Sequence, residues 1–250
     1  MTFHKLNIIL PNWDVPVHVR ALSTTRIGGV SSAPFKSFNL AHHVGDHSES
    51  VQRNRKLLER EWLLPDAPHW LNQTHSTDVI ELSDKVESVD ADAAWTEQKS
   101  TVCAVLTADC LPLLFYHPEE QKVAAVHAGW RGLLDGVIEN TLDAMTDFPE
   151  QMKVWLGPAI GPDVFEVGPE VREQFMDVNS ASESCFTAII GTDKYLADIY
   201  ALARMRLQKI GIQSIKGGDY CTYSDSQRFY SYRRDGTTGR QATIIWMDEL

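Results

Sequence analysis

Hydrophobic and polar positions along the chain switch between two periods. Val17, Val19 and Ala21 fall on every second residue, as in a half-buried strand, and the run ends at TTRIGG, whose glycines permit a loop with positive φ. The stretch SESVQRNRKLLEREW then takes helical spacing. Asp46 or Ser48 is placed to cap it, an acid follows in its first turn, and Val51, Leu57, Leu58 and Trp62 supply an inner face. Three strand-like runs follow, HWLNQTHSTDVIEL, STVCAVLTADCLPLLFYH and KVAAVHAGW, and the turn-like PEEQ between the last two predicts a hairpin. Strands adjacent in sequence favour antiparallel pairing.

Further along, RGLLDGVIENTLDAM predicts a helix, and KVWLGPAIG a short strand entering a Gly/Pro loop. Pro169 fits the first position of a helix at GPEVREQF. Leu196, Ile199, Ala203, Leu207 and Ile210 recur at steps of three and four, which predicts a helix over 193–210 stopped by Gly211. The tail FYSYRRDGTTGRQATIIWM reads as two β-rich runs around DGTTG, hence a final hairpin. No long linker and no repeat interrupts the pattern. It predicts one α+β domain over residues 1–250, with mixed, largely antiparallel sheets and flanking helices.

Composition narrows the function. With 43% apolar residues over 250 positions the chain can bury a large core, and a formal charge of -11 disfavours a protein whose task is wrapping nucleic acid. A small-molecule partner is expected instead. The opening MTFHKLNIILPNWD has only a short apolar run, and no later segment approaches the roughly 20 apolar residues of a membrane span, so a cytoplasmic location without membrane attachment is expected. The four cysteines, at 103, 110, 185 and 221, form no Cys-x-x-Cys pair and suit reduced thiols.

Three places set a nitrogen or sulfur donor where a strand gives way to a loop: His75 in NQTHST, Cys110 in TADCLP and His127 in VHAGW. If they converge, they form a Cys-His-His set, the three-ligand composition of a catalytic zinc site with one open position. Spacing alone does not bring them together. Singly, each is as readily a packed cysteine or a structural histidine. The same residues also allow chemistry without metal, with Cys110 as nucleophile and His127 as its base.

The order of TTRIGGVS, FNLAHHVGD, NQTHSTDV, LTADCLPLL, VAAVHAGWRG, WLGPAIGPDVFEVGPEV, DKYLADIYALA, DYCTYSD and FYSYRRDGTTGRQATIIW resembles the YfiH family, also called the laccase-domain, polyphenol oxidase or purine nucleoside phosphorylase family. The similarity runs from about Thr24 to Trp246. It implies an α+β domain distantly like Cys-His toxins and a zinc ion on His75, Cys110 and His127. It also implies phosphorolysis of purine nucleosides, methylthioadenosine included, and deamination of adenosine. Copper in vitro, and a Cys-His hydrolase acting on cell-wall precursors, are the alternatives that come with the likeness. Multicopper oxidation is disfavoured, because the nine histidines include no His-x-His pair. Asp163 and the run Ala93, Ala94, Trp95 depart from the family pattern and bear on pocket shape or packing.

Each reaction makes demands on side chains. Phosphorolysis needs an anion site, for which Arg26 beside Gly28 and Gly29 is the first choice, with Arg131, Arg233 and Arg234 as others. Deamination needs hydroxide at C6 of adenine, which a metal ion generates by lowering the pKa of water from roughly 15.7 to about 7. A carboxylate then moves protons; Asp109 and Asp92 are the candidates, and Asp109 can equally orient a ligand histidine from behind. Asn39, His43 and Gln73 suit a purine edge or ribose hydroxyls. Trp130 and Phe229 offer faces for a base, or belong to the core.

Overall fold

The long apolar runs become strands because both of their faces are covered. The computed structural model describes residues 6–83 and 89–249, so the reading of the first five positions lies outside the described residues. Strands β6 (Cys103–Thr107) and β14 (Gln241–Met247) pair antiparallel. They turn Ala104, Ile244 and Trp246 to one face and Cys103, Val105, Ile245 and Met247 to the other, all buried. Around them lie β1 (Ile8–Ile9), β2 (Val19–Thr24) and β3 (His69–Trp70), in the order β1-β2-β14-β6-β3 with only the last pair parallel.

A second sheet stacks on this one. Its order is β13-β9-β7-β8-β5-β4, built from β4 (Val79–Glu81), β5 (Ala93–Thr96), β7 (Leu111–His117), β8 (Lys122–Ala128), β9 (Lys153–Leu156) and β13 (Ser214–Gly217). Its two outermost pairs are parallel and the rest antiparallel. Leu114 and Tyr116 of β7 and Val123 and Ala125 of β8 meet Val105 and Ile245 of the first sheet. The alternate residues Leu113, Phe115, Ala124 and Val126 face a helical layer. That layer contains α2 (Trp130–Asp135), α3 (Val137–Met145), α4 (Pro169–Val178) and α5 (Ile199–Ile210). Helix α1 (Ser48–Glu61) covers the far side of the first sheet through Leu58, and a small antiparallel sheet joins β10 (Glu166–Val167), β12 (Tyr195–Ala197) and β11 (Phe186–Ala188). The class is α+β with mixed sheets and flanking helices, as the pattern predicts.

The β7–β8 hairpin, Pro169 opening α4 and Gly211 closing α5 in the left-handed region (φ 103) all follow the expectation. Five details differ. Val17 is 90% exposed and β2 begins only at Val19. The residue flanking α1 is His47, and neither Asp46 nor Ser48 caps the helix by side chain; the Asp46 carboxylate accepts instead from the His47 N–H and the Asn39 amide. The helix after β8 breaks into α2 and α3 at Gly136, whose φ of 101 a helix interior does not hold. The helix expected from 193 starts at Ile199, because Asp198 caps its N-terminus by accepting from the Ala201 N–H, while Leu196 belongs to β12. The final hairpin is not formed. Ser231 accepts from the Arg234 N–H and opens the short helix α6 (Tyr232–Asp235), leaving β14 as the single strand of the tail.

Candidate metal centre

Strand alternation aims two of the three expected donors into the same gap. Along β8, His127 shares the face of Val123 and Ala125; along the β7 register, Cys110 shares that of Leu114 and Tyr116. In the hairpin Pro112 opposes His127, so Cys110 and Gly129 form the next facing pair. Gly129 is there because the space is taken: a Cβ would stand 3.0 Å from His75 Cδ2 and 3.1 Å from Cys110 Sγ. The third donor, His75, comes from the loop between β3 and β4 and adopts a left-handed backbone (φ 62). Nitrogen or sulfur atoms of His75, Cys110 and His127 lie within 4.8 Å of one another, and the two imidazole rings meet edge to face at 4.9 Å.

Asp92, just before β5, holds the assembly from behind. Its fully buried carboxylate accepts from the backbone N–H groups of Thr74 (3.1 Å), His75 (3.1 Å) and Ser76 (2.7 Å) and from the Ser76 hydroxyl (2.9 Å). Its Oδ1 also accepts from His127 Nδ1 at 2.6 Å, and the Asp92 carbonyl accepts from the His127 N–H. One side chain thus shapes the His75 loop and fixes the His127 ring with Nε2 free. That is the carboxylate–histidine arrangement found behind metal ligands.

The charges follow. Burial disfavours ionising Asp92, but the His127 and Ser76 contacts outweigh it and hold its carboxyl down to about 2. Burial likewise pushes the Cys110 thiol up, and the charge and hydrogen bonding of His127 and His75 overcome that and pull it down to about 6. For His127, burial favours the neutral ring, whereas Cys110 and Asp92 raise it to about 9. Both shifts favour the charged forms, a thiolate at Cys110 beside an imidazolium at His127. One thiolate and two imidazoles with convergent donor atoms fit zinc, or another borderline-soft divalent ion.

The three donors open on a cavity of about 410 Å³, also lined by His43, Gln73, Thr107, Tyr232 and Arg240. Among the described residues no methionine lines it, so they offer no axial ligand for a blue-copper site there. The other expected site residues divide sharply. Gln73 lines the cavity, but its amide is committed to both the N–H and the carbonyl of Leu106. His43 lines it too, and burial followed by the charge of Arg240 lowers its pKa. Asn39 is fully buried and its amide is spent on Ala41, Asp46 and the Arg240 N–H.

The candidates for proton transfer and phosphate lie elsewhere. Asp109 has a left-handed backbone (φ 92), and its carboxylate accepts from Thr222 Oγ1, Ser231 Oγ and the Arg233 N–H, away from the cavity lining. It ties the loop before Cys110 to the C-terminal segment, while the orienting role belongs to Asp92. Arg26 lines a separate depression with Lys36 and Ser226, donates to the carbonyls of both, and lies over the Tyr230 ring. Arg131 is exposed and stacks on Trp130. Arg233 donates to the Glu166 carbonyl, and Arg234 to those of Thr222, Tyr223 and Phe229. Phe229 is fully buried between the sheets, Trp130 packs on the helical core, and Asp163 is exposed outside the cavity.

Leu106, Thr107, Ala108, Tyr232 and Arg240 also line the cavity and were not singled out in the sequence, and of these Tyr232 and Arg240 carry the side chains suited to a ligand. Both fall in the tail assigned to a hairpin, and the one available signal was an arginine closing the glycine-rich turn DGTTGR.

Comparison with known proteins agrees with this geometry. Residues 20–248 match the family model described as "Multi-copper polyphenol oxidoreductase laccase". The chain is 52% identical to the Escherichia coli protein named purine nucleoside phosphorylase YfiH, covering 96% of this chain and 98% of that one. It is 47% identical to a Haemophilus influenzae purine nucleoside phosphorylase, covering 97% and 100% respectively. A crystal structure of a Neisseria meningitidis protein superposes with a TM-score of 0.93 at 45% identity, over 97% of this chain and 100% of that chain. The Bacillus licheniformis YfiH structure gives 0.84 at 29% identity, over 92% and 93%. With convergent donors, fold and relatives in agreement, the chain belongs to the laccase-like YfiH family.

Proposed function

We propose that the chain is a zinc-dependent purine nucleoside phosphorylase that also phosphorolyses methylthioadenosine and deaminates adenosine. The observation that carries this reading is the convergence of His75, Cys110 and His127 on one 410 Å³ cavity, large enough for a small ligand. Relatives covering nearly the whole chain and named purine nucleoside phosphorylase support the substrate class. Zinc bound to these three residues supplies Lewis acidity at its open position. The chain's own groups do the rest. Asp92 keeps His127 oriented, and Tyr232, 62% exposed at the cavity, presents a ring face to a base. Among the described residues no aspartate or glutamate lines the cavity, so His43, whose pKa burial and the charge of Arg240 lower, is the side chain placed to hydrogen-bond the departing purine. Free cysteines suit a reducing compartment, and this reading places the reaction in the cytoplasm.

A second reading is favoured by one observation. Cys110, His127 and Asp92 also stand in the order nucleophile, base and orienting acid, so a thiol hydrolase uses the same residues without metal. Chromatography of adenosine incubated with purified zinc-loaded protein, with and without phosphate, separates the two. The expected result is phosphate-dependent adenine and phosphate-independent inosine, both lost together with bound zinc in Cys110→Ala and His127→Ala. Neither product from the zinc-loaded protein sinks the nucleoside reading and leaves the hydrolase.

A further inference from the structure

Among the lining residues, Arg240 is a cation without an acid. It is half-buried, yet among the described residues no carboxylate lies within 4.0 Å of its guanidinium, in a chain of net charge -11. The arm is held firmly. Nη1 donates to the carbonyls of Thr238 and Gly239, each at 3.0 Å, the backbone N–H donates to Asn39 Oδ1 at 2.9 Å, and the guanidinium sits 5.9 Å from the Tyr232 ring centre. Nε and Nη2 make no hydrogen bond among the described residues. That leaves one edge of the fork, with its donors, unused in a cavity wall.

A second polar group in the same wall is also unanswered. Thr107, at the end of β6, is 1% exposed and lines the cavity, and its Oγ1 is buried without a hydrogen-bond partner. Buried hydroxyls and charged forks are seldom left unmatched, because each unmet group carries its desolvation cost. The hydroxyl has no accessible surface toward the cavity and stays within its wall, whereas the unused guanidinium edge is placed to donate to an anion with several acceptor oxygens. The arginines that the sequence offered for this task, 26, 131, 233 and 234, are engaged outside the cavity.

We propose that the free edge of Arg240 forms an oxyanion subsite within the cavity, taking a tetrahedral anion of the phosphate class beside the His75–Cys110–His127 centre. Its identity as the subsite of the phosphate substrate rests on the phosphorolysis reading; binding of the anion does not.

The test is calorimetric titration of the zinc-loaded full-length protein with inorganic phosphate at low ionic strength. Saturable binding is expected in the wild type. Arg240→Gln, with zinc content and melting temperature unchanged, is expected to weaken it at least about tenfold, the worth of one charge-assisted hydrogen bond. No saturable binding by the wild type, or Arg240→Gln within about twofold of it, overturns the proposal. Should Arg240→Gln not fold, phosphate protection of Arg240 from phenylglyoxal, read by peptide mass spectrometry on the wild type, decides the matter: protection supports the subsite and unchanged modification overturns it. Wild type that binds phosphate and protects Arg240 but releases no purine from adenosine keeps the subsite and removes phosphorolysis.

Discussion

Asp92 is the residue on which the centre turns, since it binds the His75 loop and the His127 ring with one carboxylate. Asp92→Asn replaces an acceptor oxygen with an N–H₂ facing existing donors. Zinc affinity is expected to fall about 10–100-fold, and stability to fall by about 1–3 kcal/mol, read by chelator competition and denaturant unfolding. The wild-type carboxyl, held at about 2 against 3.8 in the unfolded chain, adds stability that is complete above pH 4 and vanishes as pH falls through about 2. Metal affinity has a different window. His127 near 9 must lose its proton to bind, whereas Cys110 is a thiolate above about 6. Apparent zinc affinity is therefore expected to rise about tenfold per pH unit between pH 6 and 9, to level off above, and to fall more steeply below 6. A flat profile across that range refutes the thiolate–imidazolium resting state.

At the scale of elements, the β7–β8 hairpin and Gly129 set the spacing of the donors. Gly129→Ala puts a methyl against His75 and Cys110, so it is expected to abolish stoichiometric zinc by metal analysis while circular dichroism stays that of the wild type. This level also shows what the sequence carried. Cys110 and His127 were legible as strand-end donors because alternation along a strand is a local property, whereas His75 follows the polar Asn72, Gln73 and Thr74 in a loop, and only the family resemblance joined the three. Asp92 read as a proton carrier because its task depends on three N–H groups from a loop sixteen to eighteen residues away, which no spacing reveals. Arg240 and Tyr232 were hidden for a different reason. Ser231 as a helix cap competes with the β-rich look of FYSY, and a hairpin assigned to that stretch gives no reason to single out Arg240 or Tyr232. The helix over 193–210 erred at its start in the same way, because Leu196 satisfies both the helical period and a short strand.

For the whole molecule, the centre lies where two stacked sheets meet, and a metal on its three donors would join parts far apart in sequence. Metal that binds the folded chain alone stabilises it by about 2.7 kcal/mol at a free concentration 100-fold above Kd. For a chain of this size the melting temperature is expected to rise by roughly 5–10 °C in scanning calorimetry. Cys110→Ala removes that rise. The same placement sets an order in time. Cys110 and His127 come together when a hairpin with a short turn closes, a local event with little loop entropy to overcome. His75 arrives only once β3 has joined the first sheet and β4 the second, so completion of the ligand set coincides with sheet docking. A metal held by all three side chains thus marks a chain in which β3 and β4 have both taken their places in the two sheets.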